Sequence, residues 1–184
     1  MISTHAIPSG IATPPLAGAQ QVVARLQNAG ITLALGGSGL LAALGLATSV
    51  HDWDLTTDAP REQVERAIEG LAWDYKGSDE LHADEKLMIP SLELEIIRGF
   101  AFFTPLGVVR IPTLVSREWA GLPVGAPECW AVAYHLLDRA PKCEALFEWL
   151  AQHGAAPLAI EALMAQPLPA ALASRLASLP FGRD

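Results

Sequence analysis

The chain of 184 residues is long enough to bury one sizeable hydrophobic core. Apolar residues make up 51% of it and charged residues 17%, a composition that argues against an intrinsically disordered protein. The net charge of −8 argues against general nucleic-acid binding, because phosphate backbones require a surplus of Lys and Arg. The two cysteines are too few for a disulfide framework or a zinc cluster, so we predict a cytoplasmic protein with buried thiols.

The N-terminal segment begins with a region rich in Pro, Ser and Gly, and we predict a loose arm over residues 1–14. It lacks a basic region followed by an apolar stretch, so we expect no signal peptide. Apolar residues then recur at helical spacing over residues 16–29, and Gly30 is typical of the position after a helix C-terminus. The short apolar run of residues 31–35 has β character and predicts a strand.

Residues 26–50 carry no formal charge, and these 25 residues would be enough for a membrane span. Gly36-Gly37-Ser38 in their middle instead predicts a turn between a buried strand and a helix that Ser38 caps. We therefore predict a strand, a turn and a helix, and expect no membrane-spanning segment.

Two aspartates flank a tryptophan in the next segment, residues 50–55. Alternate residues of a strand point to the same face, so Asp52 and Asp54 would share one face while Trp53 packs on the other. A helix follows over residues 58–71, with its first residue predicted as the N-cap.

Three later apolar runs predict strands, and the segment after residue 115 is dominated by helical patterns. The strands are expected at 86–89, 92–97 and 108–111, and the amphipathic helices at 130–137, 144–150 and 158–164. We therefore predict an α/β domain over residues 15–113, followed by a helical part over residues 114–184.

The order of the glycine turn and the aspartate pair favours the binding of a metal–nucleotide complex. Mg²⁺ prefers hard oxygen ligands, usually carboxylates together with phosphate oxygens and water, and Asp52 and Asp54 would supply the carboxylates. Glycines carry no Cβ, so backbone N–H groups at Gly36 and Gly37 can approach phosphate oxygens, and the Ser38 hydroxyl adds a hydrogen bond. Each feature alone is a weak signal, but here 13 residues separate Ser38 from Asp52.

The combination of Leu35-Gly36-Gly37-Ser38 with Asp52-Trp53-Asp54-Leu55 resembles the DNA polymerase β-like nucleotidyltransferase superfamily. The resemblance covers roughly the first 100 residues and implies an α/β (α+β) fold with a mixed sheet flanked by helices. It implies the binding of Mg²⁺ and an NTP, with Gly36, Gly37 and Ser38 on the nucleotide. The implied reaction transfers a nucleoside monophosphate to a hydroxyl of a small molecule and releases pyrophosphate.

The superfamily usually has a third acidic residue on a later strand, where it binds metal and can serve as the base. Glu93 and Glu95 alternate in the run of residues 92–97 and would share one face. We predict Glu95 as the third metal-binding and catalytic carboxylate, because Leu94 and Ile96 flank it, and keep Glu93 as the alternative.

Lys86 and Arg98 are scarce cations near the acidic strands, and we predict that both contact the nucleotide phosphates. The alternative for each is an ordinary ion pair with a carboxylate. His51 is predicted to point away from the aspartates, whereas His82 is a candidate for lining the cleft. The aromatic residues of the helical part are predicted to belong to the core rather than to stack on a base; they are Trp119, Trp130, Trp149 and Tyr134.

Two other functions remain open from the sequence. The same fold could modify tRNA or protein, although the acidic balance disfavours tRNA. It could also be a catalytically silent nucleotide-binding module, an alternative that follows from having two candidates, Glu93 and Glu95, for the third carboxylate. The identity of the acceptor, the preferred base and the oligomeric state are not encoded in any motif.

Overall fold

The computed structural model describes residues 6–182 and contains, within them, seven α-helices, nine β-strands and one 3₁₀-helix. The helices are α1 (Leu16–Asn28), α2 (Gly37–Ala43), α3 (Arg61–Ala67), α4 (Pro127–Leu136), α5 (Ala140–His153), α6 (Pro157–Met164) and α7 (Ala170–Ala177). The strands are β1 (Ala34–Leu35), β2 (Trp53–Thr57), β3 (Asp74–Lys76), β4 (Glu85–Ile89), β5 (Leu94–Arg98), β6 (Ala101–Thr104), β7 (Gly107–Arg110), β8 (Val115–Trp119) and β9 (Leu122–Gly125). The 3₁₀-helix spans Pro90–Leu92, between β4 and β5.

Seven strands form one mixed sheet in the order β3-β4-β5-β2-β1-β9-β8. β2 pairs parallel with β5 and antiparallel with β1, while β1 pairs parallel with β9. β6 and β7 form a separate antiparallel hairpin. The predicted α/β (α+β) class, with a mixed sheet flanked by helices, is therefore confirmed.

The core lies where apolar faces of the helices meet the central strands. α1 buries Ala19, Val22, Val23 and Leu26, which recur at the three- and four-residue spacing of one helix face. Trp53 and Leu55 of β2 and Ile96 of β5 are fully buried. Central strands that are covered on both sides read as nearly continuous apolar runs, so the polar residues within them stand out as exceptions.

The sheet continues beyond residue 113, where the sequence predicted the end of the α/β part. β8 and β9 lie within residues 115–125, and β9 occupies an interior position beside β1, with Leu35 opposite Val124. The helices α4 to α7 then follow; the sequence predicted the first three of them, and α7 was not predicted. Cys129 and Cys143 are buried free thiols, in agreement with the sequence interpretation.

Two local predictions differ from the structure. α3 begins at Arg61 with Pro60 as its N-cap residue, and Asp58 instead accepts a hydrogen bond from the backbone N–H of Thr113 at 3.0 Å. α2 has Gly36 as its N-cap residue, so Ser38 lies inside the first turn and does not cap the helix. In each case a contact distant in sequence replaces the local cap.

Residues 1–5 of the predicted N-terminal arm lie outside the described residues. In the rest of the arm, the backbone N–H of Ala12 donates to Thr48 O at 3.0 Å, and the N–H of Val50 donates to Ala12 O at 2.8 Å. Ile7 and Ile11 pack against the core. No helix among the described residues is long and apolar enough to cross a membrane.

We predict that Gly36→Ala destabilises the fold. A Cβ at this position would lie 1.7 Å from Cζ2 of Trp130, far inside van der Waals contact, so the indole or the turn must move. We expect the free energy of unfolding to fall by about 1–3 kcal/mol, the usual cost of overpacking, as measured by urea denaturation. Gly77→Ala is the matched control, because its Cβ would meet nothing closer than 3.4 Å. Equal stability of the two variants would contradict the prediction.

Candidate active site

A cleft of about 410 Å³ opens where the ends of β2 and β5 face α4 and the start of α5. The glycine turn, both aspartates and the favoured glutamate line this one cleft. Its polar and charged lining residues are Ser38, His51, Asp52, Asp54, His82, Lys86, Glu95, Tyr134, Arg139 and Lys142, together with Gly37, Ile97, Phe100, Trp130 and Leu137. A concave site with convergent polar groups is the usual form of a small-molecule site.

Two adjacent parallel strands bring the acidic residues together. Asp54 of β2 lies directly opposite Glu95 of β5 in the strand register. Residues that are directly opposite project from the same face of a sheet, so the two carboxylates lie on one side. Asp52 precedes β2, which begins at Trp53, and reaches the cleft from the loop rather than from the strand.

The environment of Asp54 opposes its ionisation. Burial, followed by the nearby negative charges of Asp52 and Glu95, raises the pKa of its carboxyl from the ordinary value of 3.8 to about 7. Lys86 and Lys142 act in the opposite direction but do not cancel these effects. A hard divalent cation would remove this conflict, because it favours the ionised carboxylates and accepts them as ligands.

The glycine turn lies against this carboxylate. A Cβ on Gly37 would lie 1.8 Å from Oδ2 of Asp54, and its φ of +54° is in the left-handed region that favours glycine. The backbone N–H of Gly36 donates to the carbonyl oxygen of Asp54 at 2.8 Å, which fixes the turn to β2. Only a residue without a side chain fits between this turn and Asp54.

Ser38 connects the turn to the loop that carries Asp52. Its Oγ accepts a hydrogen bond from the backbone N–H of His51 at 3.1 Å and is buried beside the cleft. The hydroxyl hydrogen is left available for an acceptor in the cleft. Residues 50–52 precede β2, and His51 itself lines the cleft. The prediction that His51 points away was wrong, because strand alternation does not apply before Trp53.

Glu95 is held by a cation rather than free. Nζ of Lys86 donates to Oε2 of Glu95 at 2.6 Å, and both residues line the cleft. Across residues 6–182, no three His, Cys, Asp or Glu side chains are grouped closely enough to form a ready-made metal site. Mg²⁺ is commonly held by one or two carboxylates together with substrate phosphates and water, and Asp52 with Asp54 fit that pattern.

Two of the residues considered from the sequence lie elsewhere. Arg98 pairs with Glu85, which is directly opposite it on β4, and does not line the cleft. Strand alternation explains this placement, because Arg98 is three residues from Glu95 and so faces the other side of the sheet. Glu93 has a φ of 48° before β5 begins, so it does not share a strand face with Glu95.

The helical part contributes cleft residues that the sequence did not predict. Arg139 directly precedes α5 and Lys142 lies in its first turn. Trp130 and Tyr134, four residues apart on α4, were predicted as core residues, and both are buried while also lining the cleft. A weak signal existed in the sequence, since cations are scarce and Arg139 and Lys142 are close together, but nothing local ties them to the aspartates.

Comparisons with known proteins identify the fold. No protein-family model and no curated protein matches the chain. A solved structure of a candidate nucleotidyltransferase from Thermotoga maritima is 24% identical, with 75% of this chain and 93% of that chain covered and a TM-score of 0.50. The antibiotic-resistance factor ANT(2″)-Ia is 18% identical, with 89% and 91% covered and a TM-score of 0.54.

A second ANT(2″)-Ia structure, in complex with adenylyl-2″-tobramycin, is 15% identical, with 74% of this chain and 90% of that chain covered and a TM-score of 0.53. Identities this low establish the fold alone. The chain therefore has the nucleotidyltransferase fold, as the order of the glycine turn and the aspartates predicted.

The raised pKa of Asp54 predicts a pH-dependent stability. Because the folded state keeps this proton up to about pH 7 and the unfolded state loses it near 3.8, the metal-free protein should lose stability as the pH rises between these values. At about 1.4 kcal/mol per tenfold change in proton affinity, the loss is on the order of 4 kcal/mol.

Asp54→Asn should remove this slope and raise the Tm at pH 8 in the presence of a chelator. Asp74→Asn, at an exposed position on β3, is the control and should keep the wild-type profile. Thermal unfolding followed by circular dichroism from pH 4 to pH 8 measures both. A wild-type slope in Asp54→Asn would contradict the assignment.

Proposed function

We propose that the protein transfers a nucleoside monophosphate from a Mg²⁺-bound NTP to a hydroxyl group of a small molecule. The observation that carries the proposal is the arrangement of Asp52, Asp54 and Glu95 beside the Gly36–Ser38 turn within one cleft. Fold likeness to ANT(2″)-Ia, seen with adenylyl-2″-tobramycin, supports a small-molecule acceptor.

Each residue has a role that its position supports. Because Gly36 and Gly37 have no side chains, the N–H groups of Gly37 and Ser38 can approach the phosphates. The Ser38 hydroxyl adds a further hydrogen bond to them. Asp52 and Asp54 would hold the metal, which would supply positive charge for the phosphates and for the attacking and leaving oxygens. Lys86, beside Glu95, supplies a cation for the triphosphate.

The bond changes follow from these roles. The acceptor oxygen attacks the α-phosphorus and loses its proton to Glu95, whose carboxylate faces the cleft. The bond between the α-phosphorus and the oxygen that bridges to the β-phosphate breaks, and pyrophosphate leaves with that electron pair. Lys86 keeps Glu95 positioned until the proton transfer.

One observation favours a second candidate, a nucleotide-binding module without turnover. The Lys86–Glu95 bond of 2.6 Å occupies the carboxylate that would have to serve as the base. If Lys86 stays on Glu95 when the nucleotide binds, binding occurs without transfer. Measuring transfer as well as binding distinguishes the two candidates.

We predict that Asp52→Asn with Asp54→Asn abolishes Mg²⁺-dependent NTP binding and transfer while the protein stays folded. Calorimetry with each of the four NTPs, with and without Mg²⁺, measures binding, and labelled-NTP transfer into a panel of hydroxylated small molecules and tRNA measures turnover. We expect a loss of at least about 100-fold, the usual scale for removing a group that stabilises the transition state. Asp74→Asn with Glu62→Gln is the control, since it removes two exposed carboxylates that do not line the cleft. Unchanged binding by a folded cleft variant would refute the proposal.

Lys86→Met should weaken Mg²⁺–NTP binding by about tenfold or more, because the long apolar side chain fills the same space without the charge. Lys76→Met is the control, because Lys76 lies on β3 outside the cleft and pairs with Asp79. Calorimetric affinities of the two variants are compared at one salt concentration. An affinity of Lys86→Met equal to that of the control would mean that Lys86 serves Glu95 alone.

A further inference from the structure

Acidic and basic side chains line the cleft in equal number. Among the described residues, three acidic side chains and three basic side chains line it: Asp52, Asp54, Glu95, Lys86, Arg139 and Lys142. The chain as a whole has a net charge of −8, so the cleft is far more basic than the rest of the surface. The three cations distinguish the cleft from a pocket lined mainly by acidic residues.

The two cations from the helical part are not neutralised by ion pairs within the cleft. Arg139 is exposed directly before α5, and Nζ of Lys142 lies 5.3 Å from the ring centroid of Tyr134. The described residues show no carboxylate within ion-pair distance of either side chain. Lys142 also acts electrostatically on Asp54, which places it within reach of the centre of the site.

Each acidic residue of the cleft already has a proposed metal or an ion-pair partner. Asp52 and Asp54 lie at the proposed metal position, and Glu95 is bound by Lys86. Asp79, beside the cleft residue His82, is held by His82 at 3.0 Å and by Lys76 at 3.2 Å. No other acidic side chain of the described part lines the cleft, so none is left to receive an ammonium group of an acceptor.

The position of these two cations determines which acceptor fits. A polycationic acceptor in the cleft would place several positive charges next to Arg139 and Lys142, both of which line it. Like charges placed together at a binding surface disfavour binding.

We propose, resting on the nucleotidyl transfer proposed above, that the acceptor is a hydroxylated molecule without net positive charge. Arg139 and Lys142 are its specificity-determining residues, and they exclude polycations such as aminoglycosides. The acceptor packs against the apolar wall of Phe100, Trp130 and Tyr134, where an uncharged ring loses little hydration. The protein thus differs in acceptor class from ANT(2″)-Ia, which shares its fold and is seen with adenylyl-2″-tobramycin.

The test is a titration of tobramycin into the folded protein saturated with Mg²⁺ and α,β-methylene-ATP, which cannot transfer its nucleotide. Saturation with the analogue comes first and reports on the proposed function alone. For the wild-type protein we expect no saturable binding of tobramycin below about 1 mM. Arg139→Glu with Lys142→Glu reverses the charge of both residues. For this double variant we expect saturable tobramycin binding, with an affinity at least about tenfold higher than that of the wild-type protein.

Arg66→Glu with Arg110→Glu is the matched control, because it makes the same charge change at exposed positions outside the cleft and should not gain tobramycin binding. The single variants Arg139→Glu and Lys142→Glu replace the double variant if it fails to fold, as judged by circular dichroism. Saturable binding or adenylylation of tobramycin by the wild-type protein would overturn the proposal. So would the absence of any gain in the folded cleft variants, or an equal gain in the control.

Discussion

Asp54 lies where burial and two neighbouring carboxylates all oppose its negative charge, and the rest of the cleft is organised around that conflict. A glycine turn, rather than a side chain, covers one side of Asp54, and the parallel pairing of β2 with β5 places Glu95 on another. Such a group is stable as an anion only when cations surround it. Lys86 meets part of this need in the protein alone, and a metal–nucleotide complex would meet the rest. The unfavourable environment of the Asp54 anion therefore favours one kind of ligand, a metal–nucleotide complex.

The sheet and the helical part depend on each other at this point. Trp130 of α4 lies against Gly36 so closely that no Cβ fits between them, and its ring contacts Phe100 and Tyr134 at 5.1 Å and 5.6 Å between centroids. The turn is thus held by a backbone hydrogen bond to Asp54 and by the packing of the Trp130 indole ring against Gly36. The helical part also delivers Arg139 and Lys142, so the charge of the cleft is set by a segment distant in sequence from the aspartates.

Local signals predicted the parts of this structure that local forces determine. The helix predicted over residues 16–29 matches α1 within one residue, because apolar periodicity and Gly30 define both its face and its end. The glycine turn and Asp54 were likewise found from spacing. The remaining features depend on contacts between distant segments: β9 contains Pro123 and Gly125, so its four residues resemble a loop until β1 pairs with them. The Lys86–Glu95 bond follows from the register of β4 against β5, which no pattern within either strand specifies.

The position of β9 also has a consequence for how the protein forms. During synthesis, β1 and β2 leave the ribosome long before residues 122–125, so one side of β1 stays without its hydrogen-bonding partner until most of the chain exists. Unpaired strand edges invite association with other chains. A nascent chain that stalls near residue 113 would expose that edge together with the uncovered glycine corner, since Trp130 also arrives late. The nascent chain is therefore most prone to association after β1 and β2 have been synthesised and before β9 has. Chaperones that shield open sheet edges would matter most during this interval.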